Sequence, residues 1–405
     1  MCKKSVFVID FLYSFSGVLF LNCVLQFLVY PYISNIIGES EFGILITLLS
    51  IINLMSTTFG SSANYARVIS HSENKDCNGD YNIFLFFSSI IIVLISIITL
   101  IVLNRIYFFE SISYILLMIL TNVRIYADVN FRFDKKYKYY FFYNLCISIG
   151  YILGLVVFSK LKNYYVIFFI GEIIPLFFVR KKGIIFNKPF FSKGKYFKEN
   201  TKNIWILVIA NFIESLMNNI DKFIILIFIG EKQVTFFYLA TLLGKSMALL
   251  TVPLNSVIIG HIVNLKNGLN RKNLWNIFII TNILVILFEC MAYIVSNIFI
   301  KIFYPNFYNN VKNYIIIGNL GQIINFITCM ILVILLKFIP KKYQIYINVI
   351  QLLLYFCIVI PSSLYFGING IIWAILVVNL IKLILTFIIG FFKLKSGKIV
   401  EDCKL

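Results

Sequence analysis

Predominantly apolar runs of about twenty residues or more recur along this chain, and they restrict its fold more than any other feature. That length is what an α-helix needs to cross a lipid bilayer. Hydrophobic residues make up 60% of the chain, charged residues make up 13%, and the mean hydropathy is +0.92. A soluble protein of 405 residues would need far more polar surface. We therefore expect an all-helical protein that crosses the membrane many times.

The apolar runs divide into twelve expected transmembrane helices, which would place both chain termini on the same side of the membrane. Their expected positions are 11–37, 42–66, 82–104, 111–131, 139–159, 163–179, 204–230, 235–263, 274–300, 313–336, 343–366 and 368–392.

The basic residues give this arrangement an orientation. If the N-terminus is cytoplasmic, 26 of the 36 lysines and arginines fall on the inner side, 6 fall on the outer side and 4 fall within spans. Such a bias is the charge signal that orients membrane proteins. Both termini are therefore predicted to be cytoplasmic, and the net charge of +19 indicates orientation rather than nucleic-acid binding.

The longest polar stretch, "RKKGIIFNKPFFSKGKYFKENTK" at 180–202, carries eight basic residues and falls between the sixth and seventh expected helices. We interpret it as a cytoplasmic hinge that its charge would hold against anionic lipid. It predicts a six-helix lobe at 1–179, a basic linker at 180–203, a second six-helix lobe at 204–392 and a cytoplasmic tail at 393–405.

Two phrases at equivalent places in the two halves resemble each other. "IIGESEFGILITLL" begins at Ile36 and "FIGEKQVTFFYLATLL" begins at Phe228. If the second turn is two residues longer, five of the eight positions in Phe42–Leu49 match Phe236–Leu243. Because each half has an even number of helices, both halves would enter the membrane in the same orientation, and the repeat would be parallel. Parallel repeats of this kind are found in transporters. The expected fold is two pseudo-symmetric six-helix bundles around a central cavity.

Charged residues inside the expected spans mark candidate functional positions. On insertion scales each central charge costs roughly 2.5–3.5 kcal/mol, so most of them must pair, reach the interface with a long side chain, or line a wet cavity. For Lys382 and Lys222 the second possibility stays open, and Glu172 and Glu289 are candidates for buried, protonated carboxyl groups. The nine residues are Arg124, Asp128, Glu172, Glu214, Asp221, Lys222, Lys245, Glu289 and Lys382.

Helical spacing groups several of these side chains. In the seventh helix, polar residues recur every three or four positions on one face: Asn211, Glu214, Asn218 and Asp221/Lys222. In the eighth, Thr241 and Lys245 share a face. In the fourth, Arg124 and Asp128 lie one turn apart and can pair, while solvation of Asp128 near the cytoplasmic end stays open.

Enzymatic and metal chemistry have no recognisable motif here. The sequence contains no Walker A motif, no serine–histidine–aspartate pattern and no long outer loop, and its eight cysteines form no C-x-x-C pair. With two histidines a histidine metal site is not expected, and neither are catalytic residues or a cofactor. Transport would draw on a gradient, and we predict Glu214 and Asp221 as the ion-coupling residues.

The repeated phrases also resemble a known family. "FGILITLLSIINLMSTTFG" after an acidic turn resembles the first two helices of Wzx-type polysaccharide exporters. "NNIDKFIILIFIGEKQVTFFYLATLL" resembles their seventh helix, the turn after it and their eighth helix. These exporters belong to the multidrug/oligosaccharidyl-lipid/polysaccharide superfamily. The resemblance implies that the chain moves an undecaprenyl-diphosphate-linked oligosaccharide, such as an O-antigen or capsular repeat unit, across the bacterial inner membrane by alternating access.

For such a substrate, the diphosphate needs cationic donors in a low-dielectric site. We predict that substrate-binding residues are Arg124, Lys222, Lys245, Asn211 and Asn218. The expected partners are this lipid-linked oligosaccharide, membrane lipids, and a glycan polymerase with other assembly proteins, but no nucleic acid.

Two other functions stay open. A multidrug cation antiporter of the same superfamily would favour an acidic cavity without cations. A membrane glycan enzyme, such as an O-antigen polymerase or acyltransferase, would be favoured by an outer loop above ~30 residues, which is well beyond the usual length of a connecting loop.

Overall fold

The computed structural model describes residues 3–161, 163–247, 271–335, 338–340 and 342–393. These residues form helices and connecting turns. The helices of the first half are α1 Lys3–Val24, α2 Tyr30–Ser56, α3 Ser62–Ser72, α4 Asn78–Val102, α5 Phe108–Ala127, α6 Val129–Phe133, α7 Tyr137–Leu161 and α8 Tyr165–Lys182. Those of the second half are α9 Phe197–Phe228, α10 Glu231–Ser246, α11 Arg271–Phe303, α12 Pro305–Val311, α13 Ile315–Leu335, α14 Lys342–Leu354 and α15 Ile360–Lys393.

Each of the twelve expected spans falls on a helix, which confirms the all-helical class. Within the described residues, eight continuous stretches are long and apolar enough to cross a membrane, and two of these, Ile9–Ser72 and Tyr346–Lys393, are long enough for two spans. Short π-helical turns join α1 to α2, α2 to α3 and α14 to α15. The end of the eighth expected span, 248–263, and nearly all of the expected tail, 394–405, lie outside the described residues.

Glycines with positive φ separate consecutive spans. Gly38 has φ 81° and ψ −177°, and Gly230 has φ 125° and ψ 172°. Gly367 divides α15 in the same way, with φ 58°. A residue with a side chain rarely adopts such values, so glycine is the residue that permits the chain to reverse here.

The two repeated turns have the same length, which corrects the alignment made from sequence. The helical conformation resumes at Glu39 directly after Gly38, and α10 begins at Glu231 directly after Gly230. The expectation of a second turn two residues longer is therefore wrong. The five matching letters that it produced do not mark structurally equivalent positions.

Contacts divide the chain into two compact units. The first contains the chain up to Ile36 together with Thr47–Asp221, and the second contains Ile37–Ile46 together with the chain from Lys222 onward. The division thus falls within α2 and within α9, rather than in the basic linker.

In the first unit, α7 packs along both α1 and α8, and α5 packs against α4 and α8. Small residues permit the closest of these approaches: Gly150 and Gly154 on α7 lie against the α8 backbone at Gly171 and Ile167. In the second unit, α13 packs against α10, α11 and α15. A buried apolar cluster built on Ile323, Ile327 and Ile331 of α13 fills that unit.

Candidate functional site

A buried ion pair joins α5 to α8 within the first unit. Arg124 Nε donates a hydrogen bond to the carboxylate of Glu172. The Glu172 side chain is 3% exposed and that of Arg124 is 17% exposed. Thr121 and Tyr151 face the same carboxylate. Gly171 lies directly before Glu172, and its missing side chain leaves the space that the Tyr151 ring occupies.

The pair uses only one edge of the guanidinium. Among the described residues, Nε is the only guanidinium nitrogen of Arg124 with a hydrogen-bond partner. Both Nη groups can therefore donate hydrogen bonds to an anion or to water. Such a partner would be favourable, because a buried charged group with unsatisfied donors is costly in free energy. Glu172 thus fixes the orientation of the Arg124 guanidinium through Nε and leaves the two Nη groups able to bind another acceptor.

The pairing of Arg124 with Asp128 that helical spacing allows does not form, because Arg124 pairs with Glu172. Asp128 accepts a hydrogen bond from Asn64 at 2.5 Å and another from Arg132 at 3.0 Å. Arg132 also lies over the Tyr65 and Tyr140 rings. The reason is geometric: Asp128 lies just beyond the end of α5, where the chain turns into α6, so its side chain no longer follows the helical register of Arg124.

The polar face of α9 falls into two parts. Asn211 donates to the hydroxyl of Ser62 at 2.8 Å, and the next turn contributes Ser215, which accepts from Thr57 at 2.8 Å. These contacts hold α9 to α3 and to the π-helical turn before it. Asn211 therefore has a structural role in helix packing.

Beside these contacts, Glu214 and Asn218 are exposed on α9, whereas Asp221 is 4% exposed. An ionised carboxylate on a membrane helix cannot face hydrocarbon without a large cost. Glu214 and Asn218 form an exposed polar edge of the first unit.

The remaining predicted cations, Lys222 and Lys245, lie in the second unit and are both partly buried. The Lys245 ammonium lies 5.1 Å from the centre of the Phe237 ring on the same helix. Such a cation–π contact stabilises an ammonium that is partly removed from water.

Sequence reasoning missed a cluster around Arg67 on α3. This side chain is 3% exposed and donates to the Tyr126 hydroxyl at 2.5 Å and to Asn78 at 2.7 Å. Its guanidinium lies over the rings of Tyr81 and Tyr126. Arg67 comes directly after the expected span 42–66, so nothing in the sequence distinguishes it from a surface arginine.

Lys382 is buried in the second unit. It is 5% exposed, and its ammonium contacts Asn325 Oδ1 at 2.9 Å and Cys329 Sγ at 3.7 Å. Glu289 is also buried at both carboxylate oxygens, which have no hydrogen-bond partner among the described residues. No group of three or more potential metal ligands occurs in the part of the chain that the structure describes.

Comparison with solved structures shows that the fold of this chain is a known one. The chain is similar to an inward-facing multidrug resistance MATE family transporter of the MOP superfamily, with TM-score 0.67 and 12% identity over 95% of this chain and 94% of that one. It is similar to the lipid II flippase MurJ, with TM-score 0.66 and 18% identity over 94% and 86%. The chain has the fold that these transporters share.

A eukaryotic MATE transporter gives the same result, with TM-score 0.65 and 12% identity over 95% of each chain. These solved structures are transporters and a flippase rather than enzymes. No protein-family model and no curated sequence matches the chain.

Proposed function

We propose that this protein is a flippase that moves an undecaprenyl-diphosphate-linked oligosaccharide across the bacterial inner membrane. The observation that carries the proposal is the arrangement of Arg124, which Glu172 holds at Nε while both Nη groups lack a partner among the described residues. A charged group within a membrane helix has a high cost in free energy, and such groups usually serve a function.

A diphosphate fits this arrangement chemically. It presents several oxygens that accept charge-assisted hydrogen bonds, and a guanidinium donates two parallel ones from a fixed plane. A carboxylate that orients the guanidinium beforehand lowers the entropy lost on binding. Of the solved structures similar to this chain, one is named as a lipid II flippase.

In this proposal Lys222 and Lys245 are substrate-binding cations of the second unit, and Asn218 supplies polar contacts at the exposed edge of α9 in the first unit. Asn211, although it is bonded to Ser62, retains its side-chain oxygen for a ligand. Glu214 and Asp221 couple transport to an ion gradient, with Glu214 at the exposed edge. The cycle is alternating access, and no cofactor takes part. A glycan polymerase and other assembly proteins are the proposed partners.

A multidrug cation antiporter of the same superfamily is the second candidate. The exposed carboxylate of Glu214 on a membrane helix favours it, since a carboxylate attracts an organic cation. The other similar structures named above are MATE transporters.

The two candidates separate in reconstituted vesicles. We would compare the native protein with Arg124→Ala, Arg124→Lys and the matched control Lys160→Ala, which removes one exposed cation at the end of α7. Flipping of a fluorescent diphosphate-linked glycolipid should be lost in Arg124→Ala and partly kept in Arg124→Lys. Efflux of a cationic dye by the native protein, without glycolipid flipping, would replace the flippase by the antiporter.

A further inference from the structure

The segment 183–196, which we name the strap, joins α8 to α9 and is fixed to the start of α4 within the first unit. Asn78 Nδ2 donates to the carbonyl of Asn187 at 2.7 Å and to that of Ile185 at 3.2 Å. Asn82 also donates to the Ile185 carbonyl, at 3.0 Å. These amide groups are buried, so their hydrogen bonds hold the backbone of the strap in one place.

The second half of the strap is held as firmly. The Gly194 N–H donates to Asp80 at 2.7 Å, and Asn200 donates to the other oxygen of the same carboxylate at 2.9 Å. Gly79 lies so close to the Ser192 carbonyl that a Cβ there would be 2.0 Å from the oxygen. These contacts anchor the backbone of the strap to the first unit.

Two adjacent aromatic side chains form the exposed tip of the strap. Phe190 is 42% exposed and Phe191 is 57% exposed, and their ring centres lie 4.7 Å apart. Phe191 packs edge-on against Phe86 of α4, with ring centres 6.1 Å apart.

Phe86 begins the stripe of α4 that faces lipid. Exposed apolar residues follow it at helical spacing along this span: Ile90, Leu94, Ile97 and Ile101. In a transmembrane helix such a stripe contacts hydrocarbon chains. Phe86 lies about 12 Å along the helix axis from Asn78. Because Phe191 packs on Phe86, the tip of the strap reaches the edge of the hydrocarbon region.

The strap and the adjoining helix ends also carry a dense positive charge. The eight basic residues of 180–202 are all exposed: Arg180, Lys181, Lys182, Lys188, Lys193, Lys195, Lys198 and Lys202. The only acidic residue in this range, Glu199, is bonded to Lys75 at 2.7 Å. Cations therefore flank the aromatic tip on both sides, along a fixed backbone.

We propose that the strap is a binding site for anionic phospholipids. Phe190 and Phe191 would insert beside Phe86 among the acyl chains, while Lys188 and Lys193 contact the negatively charged headgroups. The combination selects this ligand: a lipid supplies both the apolar chain and the anionic head, whereas free phosphate supplies only the anion. The proposal is independent of the transported substrate.

Tryptophan quenching by brominated lipids tests the site directly. Trp205, Trp275 and Trp373 would be replaced by Phe, and Phe191→Trp would then be the sole tryptophan. The protein would be reconstituted with brominated phosphatidylglycerol or brominated phosphatidylcholine at equal fractions. The matched control, Phe109→Trp in the same background, lies 79% exposed at the opposite end of the first unit's spans.

We expect stronger quenching of Phe191→Trp by phosphatidylglycerol than by phosphatidylcholine, and equal quenching of Phe109→Trp by both. Lys188→Ala with Lys193→Ala should lower the preference by about 25-fold, since each of the two basic residues near an anionic surface contributes roughly fivefold. Lys160→Ala with Lys301→Ala, a loss of equal charge elsewhere, should leave it unchanged, and inorganic phosphate should not compete. Equal quenching of Phe191→Trp by both lipids, no quenching by either, or competition by phosphate would overturn the proposal.

Discussion

The hydroxyl of Thr235 donates a 2.7 Å hydrogen bond to the backbone carbonyl of Glu39, a residue from the other half of the chain. A reciprocal approach lies beside it, where the Glu231 carbonyl closes on Gly43. Glu39 and Glu231 each follow a positive-φ glycine, and Gly43 and Thr235 stand at the same distance beyond them. The two copies of the repeated phrase therefore meet each other in the second unit, each with its carbonyl against the other's helix.

This contact predicts that Gly43 tolerates no side chain. A Cβ at Gly43 would be 2.0 Å from the Glu231 carbonyl oxygen. We expect Gly43→Ala to lower the free energy of unfolding by about 1–3 kcal/mol, the usual cost of overpacking. Thermal unfolding in detergent would measure it. Gly321→Ala is the matched control, because its Cβ would meet its nearest neighbour at an ordinary 3.5 Å. Equal unfolding temperatures for the two variants would contradict the close approach.

The helices themselves were predictable from sequence, because each span is a long apolar run and the bilayer permits few alternatives for such a run. The turns at Gly38 and Gly230 were also visible as a repeated Gly-Glu pair. The equivalence of residues between the two repeated phrases could not be predicted. An alignment shifted by two positions gave more identical residues than the alignment that the structure shows. Identity in a composition so rich in Phe, Leu and Ile carries little information about equivalence.

Partners of the buried charges were less predictable. Spacing along one helix suggested Asp128 as the partner of Arg124, but Glu172 on another helix takes that place. Tertiary neighbours have no signature in a single sequence, because nothing in it records which helix packs on which. The same reason explains why Arg67 and its two tyrosines were not grouped, and why Lys382 was not recognised as buried.

The topology can be tested with single cysteines. The bias of 26 inner to 6 outer basic residues predicts that Lys195 is cytoplasmic and Lys232 is external. In a background without the native cysteines, Lys232→Cys should react with a membrane-impermeant maleimide in intact cells. Lys195→Cys should react only after permeabilisation. Labelling of Lys195→Cys in intact cells would show that the predicted orientation is wrong.

Substitutions of Arg124 and Glu172 should be strongly coupled in their effects on stability. Their effects on transport should not follow the stability of the variants. Removing one partner leaves a buried charge uncompensated, so Glu172→Leu should lower the free energy of unfolding by about 3–5 kcal/mol. The double variant Arg124→Met with Glu172→Leu should recover most of that loss, because no charge remains buried. Thermal unfolding and glycolipid flipping would be measured together.

Restored stability without restored flipping is the expected result for a guanidinium that contacts substrate. If the double variant also flips glycolipid normally, Arg124 has only a structural role and the proposed diphosphate site is wrong. If the double variant is no more stable than Glu172→Leu, the two side chains do not form the buried pair in the membrane.

Lys382 offers the last test, because its ammonium is buried in the second unit against neutral partners. Among the described residues it contacts only Asn325 and Cys329, so no carboxylate compensates its charge. An unpaired buried ammonium costs several kcal/mol, whereas methionine fills a similar volume without charge. Lys382→Met is therefore expected to raise the free energy of unfolding by about 1–3 kcal/mol, and Lys382→Ala to gain less, since it leaves a cavity.

A second substitution shows whether the ammonium is the cause. Asn325→Leu removes the better acceptor, so it should destabilise the native protein by about 1–3 kcal/mol, the cost of leaving a buried donor unsatisfied. The same change should be nearly neutral when Lys382 is already methionine, because the ammonium is then absent. Thermal unfolding of the four proteins gives the coupling directly. If Lys382→Met instead destabilises as much as Lys382→Ala, the charge itself stabilises the unit, and an anion must accompany it in the membrane.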